Sequence, residues 1–509
     1  MPLSSTLRGP LAGGRQWLRM PANQLLLLLL GLAAFPLLFE LGRSPVQLWD
    51  ESRLAMNAME MSRGGNWLVT TFQGQPDHWN TKPPLLIWLQ VIAFKTLGYS
   101  NWALRLPSAL AALGTVLLLY RFAAGTLRRP LAGFFGGLVL VTAAGYVRLH
   151  GARTGDYDAL LAFWEVVAWL AFFQYLETAR LRHLYWLGAA FTAAVLTKGV
   201  AGLLGGPALL VYAAARGKLP WLLRQPRLYV VAAVGLAIVA AYYLAHEALD
   251  PGYLAAVRAN ELGGRYNQVL DGHTGPWTYY FDRLYTIDFA GWIWWLVPAG
   301  LVWLQPDRLV RRAGSLLLLF ALGWMLLCSA SATKLEWYAL PAYPALALLI
   351  GLGLDFLYHD VLAANLPRVP RAWAWPLRVG LVAGLFFFPF RAIMRQLVDE
   401  RYSDYGTGSD AHLARYAQQV AQEQPLLDGF TLLNQGGYNP VLLYYQAVLQ
   451  LAAHKTVAIR YQGEARALQP GTVVLVCDPA YRARLDSSFQ LVLVHQAAPC
   501  EAVLLTARK

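Results

Sequence analysis

Charge is scarce in this chain. Only 14% of its 509 residues are Asp, Glu, Lys or Arg, against about 25% in soluble globular domains, which excludes an ordinary soluble protein. Cysteine is scarcer: Cys328, Cys477 and Cys500 are the whole set, and none is spaced with histidine as a zinc site requires. No glycine-rich phosphate loop is present, so nothing points to a nucleotide ligand. No basic run interleaved with aromatics marks a nucleic-acid groove. Internal repeats and charges at mid-membrane are also missing. Both would be expected of a transporter or flippase for a lipid-linked glycan.

What remains is apolar. Hydrophobic residues make up 57% of the chain, with 19 tryptophans. Apolar runs near 24–41, 104–122, 131–148, 158–176, 184–198, 200–214, 228–246, 288–304, 313–331, 338–357 and 376–394 approach the ~20 residues a membrane helix needs. The fold class expected is an α-helical polytopic membrane protein with about eleven transmembrane helices. The first run, Leu25 to Leu41, lacks a small-x-small cleavage site and has the length of a retained anchor.

The net charge of +13 belongs to the apolar part, since ten basic and ten acidic residues balance from Arg395 to Lys509. Basic links (Arg121, Arg128 and Arg129; Arg180 and Arg182; Arg216, Lys218, Arg224 and Arg227; Arg308, Arg311 and Arg312) alternate with links that are not. By the positive-inside rule the basic set is cytoplasmic. The other set then faces outward: 42–103, 149–157, the turn at Lys198, 247–287, 332–337 and everything after 394. That parity requires residues 85–97, an apolar stretch of thirteen, to lie in the outer interface, because a crossing there would turn every later basic link outward. The segment from Asp50 to Arg63 is amphipathic and belongs on the same surface. Two domains are expected: a membrane domain over 1–394 and a small outward-facing α/β domain over 395–509. In the latter, β-rich runs at 430–433, 456–460, 472–477, 491–495 and 502–506 alternate with helical periodicity near 410–422 and 440–452. Cys477 and Cys500 share that domain and could pair.

The chemistry gathers in the outward links. Trp49-Asp50-Glu51-Ser52-Arg53 follows the first run, and Trp79-Asn80-Thr81-Lys82-Pro83-Pro84 closes the same link. Carboxylates and a lysine at a membrane boundary need a partner or a task. Arg153, Asp156, Asp158, Lys198, Glu261, Arg265, His273, Lys334 and Tyr338 occupy the other outward links, so one membrane face carries both acids and cations.

The ordered set Asp50-Glu51-Ser52-Arg53, Gly65-Asn66-Trp67, Lys82-Pro83-Pro84-Leu85 and Arg105 to Leu110 resembles the GT-C class of membrane glycosyltransferases. It is most similar to the bacterial aminoarabinose–lipid A transferases and the related protein O-mannosyltransferases. Further matches are Arg153 with Asp158, Thr197-Lys198-Gly199, His273 with Pro276 and Tyr279-Tyr280, and Lys334 with Trp337-Tyr338. The resemblance covers about residues 20–360. It implies an enzyme of the bacterial cytoplasmic (inner) membrane, with its site outside, which moves a sugar from a polyprenyl-phosphate donor to a lipid, glycan or protein acceptor with inversion. It implies Asp50 as general base and Asp158 as the second acidic catalytic group. Lys82, Arg53, Arg265, His273, Lys334 and Tyr338 would bind the donor, with Glu51, Arg153, Asp156, Lys198 and Tyr280 in support. Asp156 and Asp158 form an Asp-x-Asp pair of the kind that can hold a divalent cation. Where the lipid A relatives carry an acid before the lysine, this chain has Thr81.

Simpler roles compete at each position. An Asp-Glu pair commonly opens a helix. Lys82 could sit among lipid headgroups, and Lys198 could extend outward from the membrane. The Trp-rich run at 292–303 reads as an interfacial belt.

Overall fold

The computed structural model describes residues 22–270, 272–362, 371–400 and 408–509, without the side chains of Leu262, Arg265, 360–375, 377, 378, 399, 400, 408 and 409. Seven helices are long and apolar enough to cross a membrane: Asn101–Thr126, Asp158–Thr178, Leu181–Leu203, Pro226–Leu249, Arg308–Ala330, Glu336–His359 and Val379–Val398. The run expected at 288–304 is a bent pair, Tyr279–Asp288 with Ile293–Leu304, turned through 109°. It is an eighth candidate if it counts as one span.

The three other expected runs form shorter helices. Ala22–Leu38 has 17 residues, Pro130–Val141 has 12 and Gly206–Ala215 has 10. Local chemistry explains the last two. After Val141, the Thr142 hydroxyl donates back to the carbonyl of Leu138 at 2.6 Å, and the chain breaks before a short turn at Ala144–Val147. Gly199, at φ +58°, ends the Leu181–Lys198 helix, and a tight turn over Gly199–Leu203 separates it from Gly206. Among the described residues, seven helices, or eight with the bent pair, are by length and composition able to cross a membrane.

Asp158–Thr178 is largely buried, whereas only Tyr242 and His246 are buried in Pro226–Leu249. Small residues bring some axes very close. A Cβ on Gly351 would collide with the backbone of Ala132 and Gly136, so helices Pro130–Val141 and Tyr343–Phe356 touch backbone to backbone, as small residues permit inside membranes.

The link 42–103 is ordered. Helix Asp50–Gly64 leads to a ribbon of two short strands, β1 (Thr71–Phe72) and β2 (Gln75–Pro76), and then to helix Leu85–Leu97. The latter has 13 residues. It packs against Asp50–Gly64 and Asn101–Arg121. The Gln90 amide ties it to the carbonyls of Leu104 (3.3 Å) and Gly155 (2.8 Å).

The C-terminal residues form a mixed sheet from β3 (Gly429–Asn434), β4 (Thr456–Tyr461), β5 (Val473–Val476), β6 (Phe489–Ala497) and β7 (Cys500–Arg508), in the order β4-β3-β5-β7-β6. β3 lies parallel to β4 and β5, and β7 is antiparallel to β5 and β6. All five strands overlap the runs expected from the sequence, as do helices Gly408–Glu423 and Pro440–Ala452. Helix Pro479–Ser488 was not expected. It buries only Leu485, so it has no apolar stripe to read. Cys477 and Cys500 form a disulfide.

This unit is docked on the link 42–103. Helix Pro440–Ala452 packs against Asp50–Gly64. The buried Tyr445 hydroxyl accepts the Val46 amide at 3.0 Å and the Asn101 side-chain amide at 2.8 Å.

Candidate active site

The two ends of the sequence pattern meet in one buried pair. Arg105 reaches from helix Asn101–Arg121 to Glu51, donating from Nε at 2.6 Å and from Nη2 at 2.9 Å. Its remaining donors satisfy the carbonyls of Leu41, Ser44 and Pro45 at 2.7–3.0 Å. Glu51 also accepts the amides of Gln47 and Gly155, both at 2.8 Å. Glu51 therefore pins three backbone segments and holds Asp50, its neighbour, at the start of the helix.

Arg53 is equally committed. It forms a two-pronged ion pair with Asp77 at 2.8 and 2.7 Å, and Asn57 adds a bond to the same carboxylate at 2.8 Å. Burial alone would raise the Asp77 pKa. The bonds from Arg53 and Asn57 outweigh it and hold Asp77 below the usual carboxylate range. Arg53 thus organises the loop and is not among the residues lining the cavity described next.

That cavity, of about 250 Å³, is lined by Asp50, Lys82, Asp156, Asp158, Lys198 and Tyr338 among the residues anticipated from sequence. His150, Glu261, Trp79, Asn80, Tyr157 and Trp337 also line it. His150 stands between two acids: Nε2 is 3.7 Å from Asp50 and Nδ1 is 3.5 Å from Asp156. Its ring stacks on Trp337 at 3.3 Å between centroids, nearly parallel. Lys198 is paired with Asp158, with its ammonium 5.4 Å from the Tyr338 ring centre. Lys82 lies 3.7 Å from Glu261, which also accepts the Thr81 hydroxyl at 3.2 Å. The carboxylate beside the lysine, absent at position 81, thus comes from a distant link.

The other anticipated residues lie outside the cavity lining. The Lys334 ammonium is spent on the carbonyls of Ser329 and Ser331 at the end of helix Arg308–Ala330 (2.9 and 2.6 Å). Burial lowers its pKa. Arg153 donates to the carbonyl of Pro36 at 3.0 Å. His273 is exposed, and its carbonyl accepts the Lys334 amide. Tyr280 is buried in the apolar core. The backbone of Arg265 lies in the turn Gly264–Asn267, but its side chain is outside the described residues. Asp156 and Asp158 engage different partners, His150 and Lys198. Among the described residues no group of three or more His, Cys, Asp or Glu is placed to hold a metal ion.

Of the lining residues, His150 was not named from the sequence, and Glu261 was named only as a charge of the 247–287 link, without a role. Neither belongs to a local motif. Each reaches the cavity only because the helices converge.

Asp156 carries a testable charge. Burial, the largest influence, pushes its carboxyl up to about 7, while His150 opposes the rise and Glu51 and Asp50 add to it. The folded protein therefore holds this proton more tightly than the unfolded chain. Its stabilising effect is complete below about pH 4 and is lost as pH rises toward 7. In detergent, Asp156→Asn should match the parent in thermal stability near pH 5 and exceed it near pH 8. An equal difference at both pH values would contradict this.

The fold is shared with solved proteins. It superposes on the ArnT structure from Cupriavidus metallidurans bound to undecaprenyl phosphate with a TM-score of 0.67 at 21% identity, covering 95% of this chain and 98% of that one. The Archaeoglobus fulgidus oligosaccharyltransferase gives 0.52 at 14% identity, over 86% of this chain and 64% of that one. Residues 81–243 match the family profile of dolichyl-phosphate-mannose-protein mannosyltransferases. More particularly, the chain resembles the undecaprenyl phosphate-α-4-amino-4-deoxy-L-arabinose arabinosyl transferases of Pseudomonas fluorescens. One is 29% identical over 64% of this chain and 58% of its own length. Another is 31% identical over 70% and 63%. The chain spans well under two thirds of the length of the curated relatives it matches.

Proposed function

We propose that this chain is an integral-membrane glycosyltransferase that moves a sugar from a polyprenyl-phosphate donor to an acceptor at the outer face of a bacterial inner membrane. The observation that carries the reading is the cavity itself. It is lined by an accessible carboxylate, Asp50, and by two lysines, Lys82 and Lys198.

In the proposed reaction the acceptor oxygen attacks the anomeric carbon as Asp50 takes its proton. The bond from that carbon to the phosphate oxygen breaks, and its electron pair leaves with the polyprenyl phosphate. Lys82 neutralises the departing phosphate in exchange for its contact with Glu261. A single displacement inverts the anomeric centre. Lys198, held by Asp158, keeps a second positive charge facing the same space.

The orientation rests on the alternating basic links, and the disulfide between Cys477 and Cys500 agrees with an oxidising outer compartment. Eleven crossings remain the proposed count, with Ala22–Leu38, Pro130–Val141 and Gly206–Ala215 as short spans and Leu85–Leu97 in the outer interface. The domain division near residue 394 is proposed on the same footing. Lipid A or another envelope glycan is the acceptor favoured by the aminoarabinose-transferase likeness. The mannosyltransferase profile favours a protein hydroxyl as the second reading.

The test is transfer from synthetic polyprenyl-phosphate sugars by the purified full chain. Product of inverted configuration is expected. No transfer from any such donor would overturn the proposal. Lys82→Met, which removes one charge-assisted contact worth roughly 1.5–3 kcal/mol, should weaken polyprenyl-phosphate binding about tenfold or more.

A further inference from the structure

We propose that an aromatic collar at the mouth of the cavity, built from Trp49, Trp79 and Tyr438, is a binding subsite for a sugar ring of the acceptor. This rests on the transferase reading above and narrows the acceptor to a saccharide.

The collar joins two parts of the chain. Trp49 stacks on Tyr438 with ring centres 5.1 Å apart and planes 20° from parallel, and Phe72 lies 6.1 Å from the same tyrosine. The Arg53 guanidinium sits at the hub, 3.6 Å from the Phe72 ring centre, 5.6 Å from Trp79 and 5.7 Å from Tyr438. The rings are therefore fixed in orientation by a cation that is itself locked to Asp77.

Despite these contacts the collar stays open to solvent. Trp49 is 58% exposed, Trp79 41% and Tyr438 39%. Scattered exposed aromatics need no explanation, but a contiguous, oriented set marks a binding surface. Position makes it specific. Trp49 directly precedes Asp50, and Trp79 lines the cavity. Trp49 also has φ +72°, ψ −108°, a backbone state that bulky residues avoid and that clusters at binding sites.

The chemistry selects a neutral ring. One face of Trp49 is covered by Tyr438, leaving the other for the C–H face of a pyranose. The charge of Arg53 is cancelled by Asp77 at 2.7 Å, so the collar does not provide an anion site for a lipid headgroup. Tyr438 comes from the C-terminal unit, in the loop between β3 and helix Pro440–Ala452. Gly436 and Gly437, at φ +105° and +94°, let that loop turn back over the outward link. The docking of Tyr445 beside it keeps Tyr438 in register. The C-terminal unit thus supplies part of the acceptor site.

The experiment has a binding arm and a kinetic arm. In calorimetry the purified full chain is titrated with a soluble glucosamine disaccharide and, separately, with a serine peptide. Binding of the disaccharide alone is expected, weakened about two- to tenfold in Trp49→Ala and Tyr438→Ala, the range that aromatic contact energies imply. Trp49→Phe should recover most of it, and Trp186→Ala, an equally exposed tryptophan elsewhere, should have no effect. In transfer assays the same variants should raise KM for a saccharide acceptor while leaving kcat and donor affinity unchanged. Undiminished disaccharide binding in Trp49→Ala and Tyr438→Ala, or peptide binding that depends on the same rings, overturns the inference. Because the binding arm needs no donor, it separates failure of the subsite from failure of the proposed transfer reaction.

Discussion

Asp50→Asn should bind polyprenyl phosphate normally and lose about a hundredfold or more in turnover, the scale of general-base catalysis. Accessibility decides between the acids. The Asp50 side chain is 34% exposed, whereas those of Asp156 and Asp158 are each 3% exposed. Asp158 is also bound by Lys198, so Asp50 is the carboxylate an acceptor can reach. A purely structural role fits poorly. The residue at the helix cap is Trp49, which makes no side-chain capping bond, and the nearby pinning is done by Glu51. Asparagine keeps the size and an acceptor oxygen, so folding should be unaffected. A capping role would predict about 1 kcal/mol of lost stability with turnover intact. The measurement is single-turnover transfer from a synthetic donor beside a binding isotherm. Near-parental turnover would move the base to Asp158.

The sequence named most of the charged residues that gather at the cavity, but not how they are paired. Strands and helices after residue 408 were legible because each strand carries β-branched, apolar runs between turn residues, and each amphipathic helix has a stripe. Helix Pro479–Ser488 escaped because it buries one residue. The shortened helices at Pro130–Val141 and Gly206–Ala215 escaped for the opposite reason. Hydropathy continues through their breaks, and only backbone geometry at Thr142 and Gly199 ends them. In the site, Asp50, Lys82, Asp156, Asp158, Lys198 and Tyr338 were named from the ordered motifs and do converge. Arg53 and Lys334 were named as phosphate ligands, but one is consumed by Asp77 and the other by carbonyls. A charge in a sequence carries no mark of its partner. The substitution at Thr81 illustrates the same limit, since Glu261 restores a carboxylate beside Lys82 across 180 residues.

The second large effect is structural. Arg105→Met should destabilise the protein severely, by about 3–5 kcal/mol, the cost of leaving one member of a buried ion pair alone. Arg105 is 2% exposed and Glu51 1% exposed. Five bonds converge on the guanidinium from Glu51 and three carbonyls. Removing it strands an ionised Glu51 in a dry site and releases the carbonyls of Leu41, Ser44 and Pro45, so the segment leading to Asp50 loses its anchor. Glu51→Gln keeps hydrogen-bonding capacity without the charge, and should cost less by itself. In the double variant Glu51→Gln with Arg105→Met the stranded charge is gone, so its stability should exceed that of Arg105→Met alone. That non-additivity, read as thermal or denaturant unfolding in detergent, identifies the pair as a coupled unit. Additive losses would mean that Arg105 acts through its carbonyl bonds alone. Activity should follow stability in this series and recover on cooling. In Asp50→Asn, by contrast, the loss should persist at every temperature at which the protein is folded.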